Sequence, residues 1–350
     1  MTETIINGYL KHCSESLVPA QATLELTWRC NERCGHCYLP SHQDTDKSRK
    51  PLRGPQWLSI LDELQEAGTL FLVLIGGEAM MHPDFWTVAE GASQRGFATT
   101  LITNGLLLDE ASADRLRSLG IQGVTLSIYS STPEIHDAMT GVPGSWRRTT
   151  AALQRMRDRG IAVGVNCLLT RLNIGGWRDM LHWCEERGVQ VRFDPLVTAR
   201  SDGDVITAEL RPTHAQLQTY FAAVGVPRAQ VPQARVPWAR VPEASEDPVC
   251  NAGRGKCAVT AYGDLLTCLE VRTPLGNLMD RGFSTLWHSP QAQAMRGLRM
   301  KDLEFDTTCG TGAHCDHCPG MARAESGDER RPVPYLMEIA SIKEALSWGS

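Results

Sequence analysis

The chain has 350 residues, of which 42% are hydrophobic and 21% charged, with a formal net charge of −5. That apolar content supports a folded core rather than disorder, and the length suggests two domains. A mildly acidic chain with no basic tract is a poor fit for nucleic acid or an anionic membrane as main partner, and neither a signal peptide nor a membrane-spanning run of about eighteen apolar residues is present.

The first 21 residues form a short extension. From there to about residue 225, β-branched runs alternate with amphipathic stretches. Segments 22–28, 70–76, 97–103, 122–130, 161–169 and 189–195 predict strands. Segments 55–67, 83–95, 109–119, 145–159, 174–187 and 213–224 predict helices, several opening at Pro83-Asp84 or Asp109-Glu110 and closing near Gly68, Gly96, Gly120, Gly160 or Gly188. Six β–α units imply an α/β fold with a parallel sheet and crossover helices. Six are too few for a closed eight-fold barrel, so an open, partial (β/α)6 barrel is expected over 22–225. Chemistry in such folds gathers at the C-terminal ends of the strands.

Residues 226–249 read as a linker. Within them V-P-x-A-x occurs four times, and a proline every fifth residue forbids a regular helix. Such a chain extends at about 3 Å per residue. Residues 250–335 are glycine- and cysteine-rich with few strand-like runs, as in a small metal-stapled domain. Residues 336–350 predict a last helix.

Twelve cysteines in a long chain without a signal peptide point to reduced thiols in the cytoplasm, and their clustering points to metal. Cys30, Cys34 and Cys37 form C-x3-C-x2-C directly after the first strand. Three thiolates on one short loop suit an iron–sulfur cluster and leave one iron open for a ligand. A zinc site wants four ligands, with His36 or His42 as the candidates to complete it.

The segment 24–38, ending in Cys37-Tyr38, resembles the opening of radical S-adenosylmethionine (SAM) enzymes. Gly76-Gly77-Glu78 after the second strand resembles that family's GGE motif, and Thr103-Asn104-Gly105 follows the third. The resemblance spans about residues 20–200. It implies a 4Fe–4S cluster on Cys30, Cys34 and Cys37, whose open iron chelates SAM and whose electron generates a 5′-deoxyadenosyl radical that abstracts hydrogen from substrate. It implies SAM contacts at Tyr38, Gly76, Gly77, Glu78, Ser127 and Asn166, with the glycines allowing close backbone approach. Asn104 belongs either to that set or to a plain Asn-Gly turn. Alternation places Gly164, Asn166 and Leu168 on one face and Cys167 on the other. Cys167 and Cys184 then read as small core residues, and Cys13 has no evident partner.

Cys250-x12-Gly263-x4-Cys268 resembles the opening of a SPASM or twitch domain, which carries auxiliary 4Fe–4S clusters. Cys257 lies inside that stretch, and Cys309-x5-Cys315-x2-Cys318 follows, with Asp306 where a further cysteine would stand. Six thiols fall short of the eight that two fully cysteine-ligated clusters need. One arrangement puts Cys250, Cys257, Cys268 and Cys318 on a first auxiliary cluster, and Cys309, Cys315 and Asp306 on a second. The rivals are a single auxiliary cluster, or a zinc site at Cys315-x2-Cys318.

This branch implies modification of a ribosomally made peptide by crosslinking, epimerisation or oxidation. A flavodoxin or ferredoxin would serve as electron donor, and a separate leader-recognition protein as partner, since only a short extension precedes the barrel. The alternatives are a tetrapyrrole side-chain decarboxylase of the haem pathway and a non-catalytic iron–sulfur electron carrier.

Overall fold

The computed structural model describes residues 2–40, 49–224, 246–304 and 317–347. The Val-Pro repeat, His42, Asp306, Cys309 and Cys315 lie outside the described residues.

The first unit shows why the elements form. Strand β1 (Gln21–Glu25) leads through the cysteine loop to helix α2 (Gly54–Glu66), which has proline in its first turn. Trp57, Ile60, Leu61 and Leu64 recur at helical spacing and are fully buried, so α2 presents one apolar stripe to the sheet. Asp84 caps α2 rather than its own helix, accepting from the Gly54 N–H at 2.9 Å. The pattern then repeats through β2 (Phe71–Ile75), α3 (Phe85–Gln94), β3 (Ala98–Thr103), α4 (Glu110–Ser118) and β4 (Gly123–Ser127). Two helices follow β4: α5 (Pro133–Thr140), which the periodicity did not reveal, and α6 (Ser145–Asp158). The series ends with β5 (Val163–Leu168), α7 (Trp177–Glu186), β6 (Gln190–Asp194) and α8 (His214–Val224). Gly68, Gly96, Gly120, Gly160 and Gly188 all hold positive φ at the helix ends, as expected.

Strands β1 to β6 lie side by side in sequence order, all parallel. The crossover helices pack on one face of the sheet, with α3 against β3, α6 against β4 and β5, and α7 against β6. That face holds the core, including Leu24, Leu74, Leu101, Leu126 and Val165. The other face carries half-buried residues such as Thr100, Thr125, Ser127 and Asn166. This is the open-barrel winding read from the sequence.

The C-terminal part contributes three short strands that the sequence did not reveal, and they continue the same sheet. β7 (Lys256–Val259) pairs parallel with β1, Gln21 opposite Lys256, and β8 (Asp264–Leu266) and β9 (Gly276–Asn277) extend it antiparallel. The sheet order is β6-β5-β4-β3-β2-β1-β7-β8-β9. Four-, three- and two-residue strands are too short to show a period, but a bare β1 edge would leave its polar backbone groups unpaired. After α9 (Phe283–Trp287) and α10 (Pro290–Gly297), helix α11 (Pro319–Ser326) and helix α12 (Pro334–Ser347) return to the far edge. There α12 packs on α8, the Tyr335 hydroxyl donates to the Pro195 carbonyl at 2.6 Å, and Arg211 pairs with Glu325 at 2.5 Å. The extension before β1 is also structured, as helix α1 (Thr2–Glu15); Ser14 donates to Asn251 and the Trp287 indole to the Leu17 carbonyl.

Candidate active site

The three-cysteine loop leaves the C-terminal end of β1 and is pinned by the end of β2. The Gly77 N–H donates to Thr27 O and the Glu78 N–H to Arg29 O, both at 2.7 Å. A Cβ at Gly76 would meet Thr27 O at 2.5 Å, and one at Gly77 would run into the Trp28 and Arg29 carbonyls. Packing of the chain's own backbone therefore demands both glycines, before any ligand does.

Glu78 is buried at the end of β2. Its carboxylate accepts from Thr103 Oγ1 at 2.8 Å, the Asn104 N–H at 2.9 Å and the Met80 N–H at 3.0 Å. A carboxylate has about four acceptor sites, so three donors leave one open for a ligand. Burial pushes the Glu78 carboxyl up, while those donors pull it down. Asn104 sits in the expected Asn-Gly turn beside the cluster loop. It precedes Gly105 at φ +80°, and its amide also donates to Asn31 Oδ1 at 2.6 Å and reaches Cys30 Sγ at 3.8 Å.

The thiols of Cys30, Cys34 and Cys37 are half-buried. Burial raises all three, and with Glu78, Glu32 and the Cys37 thiol adding to it, Cys30 reaches about 12. Glu32, absent from the sequence reading, is buried in the loop; Cys34 Sγ reaches its Oε2 at 3.5 Å and its Oε1 has no partner among the described residues. Three crowded thiols and an orphaned carboxylate oxygen are a costly arrangement on their own. A positively charged iron–sulfur centre would stabilise them as thiolates, so the donor set fits such a cluster.

On the neighbouring strands Ser127 and Asn166 are register partners, and Asn166 in turn pairs with Arg192. Gly164, Asn166 and Leu168 share the half-open face, whereas Cys167 is buried toward the helices, as alternation required. Cys184 and Cys13 are buried too. The Tyr38 hydroxyl donates to Glu25 Oε1 at 2.7 Å, at the end of β1.

In the C-terminal part, Cys250, Cys268 and Cys318 lie close enough to influence one another electrostatically. Burial, with Glu270, Cys268 and Cys250 adding to it, raises Cys318 to about 12; burial also raises Cys250, with Cys268 adding to it. Cys257 is not brought to them. It lies in β7 opposite Ala22, buried in the core, and only burial raises its thiol. Among the described residues no three Cys, His, Asp or Glu side chains converge as on a single metal ion. Glu270, also missed by the sequence, keeps solvent access although burial pushes its carboxyl up; Arg272 and Lys256 oppose that rise and Asp194 and Glu25 add to it.

Residues 24–184 match the family model of the radical SAM superfamily, and residues 250–319 that of the SPASM iron–sulfur cluster-binding domain. This is a radical SAM enzyme of the SPASM subfamily. Its cofactors are SAM and 4Fe–4S clusters. The chain is 29% identical over 316 residues to mycofactocin maturase MftC of Mycobacterium ulcerans, covering 87% of this chain and 83% of that protein. It is 25% identical to an AdoMet-dependent heme synthase of Methanosarcina barkeri, over 91% of this chain and 96% of that one. It is 27% identical to a PqqA peptide cyclase of Granulibacter bethesdensis, over 80% and 76%. The solved structure of anSMEcpe with bound AdoMet has the same fold at TM-score 0.71 and 15% identity, over 95% of this radical SAM chain and 93% of that one. Among the described residues no helix is long and apolar enough to cross a membrane.

Proposed function

We infer that this radical SAM enzyme modifies a ribosomally made peptide. The observation that carries the catalytic half of this reading is the junction of Cys30 with Asn104 and Glu78, which unites three sequence motifs at the C-terminal strand ends. Cys30, Cys34 and Cys37 would hold the 4Fe–4S cluster. Glu78, with its one open acceptor site, would take the SAM amine, while Tyr38, Gly76, Gly77, Ser127 and Asn166 would line the rest of the SAM site. Bound together, cluster and SAM supply a 5′-deoxyadenosyl radical able to take hydrogen from an unactivated carbon. The chain's own task is to orient SAM and substrate and to keep water out.

A peptide substrate is supported by the similarity to a maturase and a peptide cyclase, and by the half-buried polar face of the sheet at Thr125, Ser127 and Asn166. A flavodoxin or ferredoxin would deliver the electron, and a separate leader-recognition protein would present the peptide. Cys250, Cys268 and Cys318 would hold an auxiliary cluster whose remaining ligand lies elsewhere. Cys309, Cys315 and Asp306 are the candidates for that ligand or for a second cluster.

One observation favours a second reading, the tetrapyrrole decarboxylase: the match to the heme synthase spans nearly the whole of that protein. Anaerobic reconstitution tests both levels. The reduced protein should cleave SAM, and substitution of Cys30, Cys34 and Cys37 together by alanine should abolish cleavage and remove one cluster's iron. Cleavage that survives this triple change would sink the catalytic assignment. Product formation from a side-chain-bearing porphyrin, with none from any candidate precursor peptide, would replace the peptide reading by the second.

A further inference from the structure

Glu25, the last residue of β1, is fully buried, and its carboxylate is met from three sides. Tyr38 donates to Oε1 at 2.7 Å and the Trp28 indole to Oε2 at 2.9 Å. The Arg272 guanidinium donates to both oxygens, at 3.0 and 3.1 Å. The same guanidinium lies over the Tyr38 ring, 4.8 Å from its centroid. Arg272 follows Cys268 by four residues in the SPASM domain, and Tyr38 follows Cys37 directly on the cluster loop. The Tyr38 carbonyl is itself held by the Ser201 N–H at 2.8 Å.

Joining the two domains does not require this charge pair, because the β1–β7 ladder already does that. A buried pair is also a poor way to add stability, since desolvation offsets much of the attraction. What the pair adds is orientation. A bidentate guanidinium fixes a plane as well as a distance, and here that plane also packs on an aromatic ring. The ring belongs to the residue immediately after the third cysteine.

We propose that Arg272 is a positioning residue of the SAM site, through which the SPASM domain orients the Cys30–Cys37 loop by way of Glu25 and Tyr38. The proposal rests on the assignment of that loop to the SAM-binding cluster. It makes SAM binding dependent on a residue of the domain that carries the other set of cysteines.

The test compares Arg272→Gln and Arg272→Lys in the full chain, with Arg159→Gln as a control, because Arg159 pairs with Glu110 and Asp114 on the outer helices. Each protein is reconstituted anaerobically. Iron and sulfide, SAM affinity, and the electron paramagnetic resonance spectrum of the reduced protein with and without SAM are recorded. All variants should hold parental iron. Arg272→Gln should bind SAM at least about tenfold more weakly and lose the SAM-induced spectral change. Arg272→Lys should recover part of both, and Arg159→Gln should match the parent. Parental SAM affinity and spectral response in Arg272→Gln would overturn the proposal. So would loss of iron from both Arg272 variants, which would make the pair a scaffold for the loop. A parent protein that neither binds nor cleaves SAM would instead overturn the assignment beneath it.

Discussion

Glu78 and Asn104 are joined by a 2.9 Å hydrogen bond from the Asn104 backbone to the Glu78 carboxylate, and the side chain of the same Asn104 reaches the Cys30 sulfur. The end of β2, the end of β3 and the cluster loop are thereby one unit. Glu78→Gln keeps the shape but replaces a charged acceptor by an amide. It should leave iron at the three-cysteine site unchanged and weaken SAM binding by about tenfold or more, the worth of one charge-assisted hydrogen bond. Equilibrium dialysis with labelled SAM measures this, and an unchanged affinity would remove Glu78 from the SAM site.

Gly77 tests the backbone contact separately from the ligand. Its missing Cβ would sit against the Trp28 and Arg29 carbonyls, which belong to backbone and cannot swing away. Gly77→Ala should therefore cost about 1–3 kcal/mol of stability in cluster-free protein, as overpacking does. Denaturant titration of the apoprotein reads it. An unaltered midpoint would mean that the loop is free to shift and that this packing is not what requires the glycine.

The auxiliary cysteines divide by position. Cys318→Ala should lower the iron of reconstituted protein by one cluster's worth. Cys257→Ala should retain parental iron and lose only a modest amount of stability, of order 1 kcal/mol for a small buried side chain. Iron analysis on the two variants decides this, and a loss in Cys257→Ala would restore Cys257 to the ligand set.

His136 predicts an acid sensitivity. Its ring is buried and stacked on Tyr129, its Nδ1 accepts from the Tyr129 N–H at 3.2 Å, and its Nε2 has no partner among the described residues. Burial lowers its pKa to about 4, with nearby Asp137 opposing. The folded protein thus resists a proton that the unfolded chain accepts near the ordinary value of about 6.5. Stability from this residue is complete above that value and falls as pH drops toward 4, by about 2 kcal/mol at pH 5. His136→Phe should flatten the fall in denaturation midpoint between pH 7 and pH 5, and an equal fall in both proteins would refute the assignment.

Much of this was legible because local chemistry repeats. Cysteine spacing, glycines at helix ends and alternating apolar runs are local signals, and they located six strands, the cluster loop and the Ser127–Asn166 face. The tie between Glu25 and Arg272 was not legible: a single glutamate ending an apolar strand and a single arginine in a loop carry no pattern, and 247 positions separate them. The same holds for Lys-Cys-Ala-Val at β7, which becomes a strand only because β1 offers an edge. The burial of Cys257 in β7 was not legible for a related reason, since thiol spacing does not say which side of a strand a cysteine faces.

The place of β1 in the sheet has a consequence for how the chain is made. β1 leaves the ribosome well before one of its two neighbours, since β7 begins 235 residues later than its partner Gln21. Until β7 emerges, the strand that leads into the cluster loop presents an unsatisfied edge, a site for mispairing with other chains. A nascent chain halted before residue 256 should aggregate, even though all six barrel strands are complete. Closing a contact of such sequence separation is also slow, so the final zippering of β7 onto β1 is the natural late step of folding.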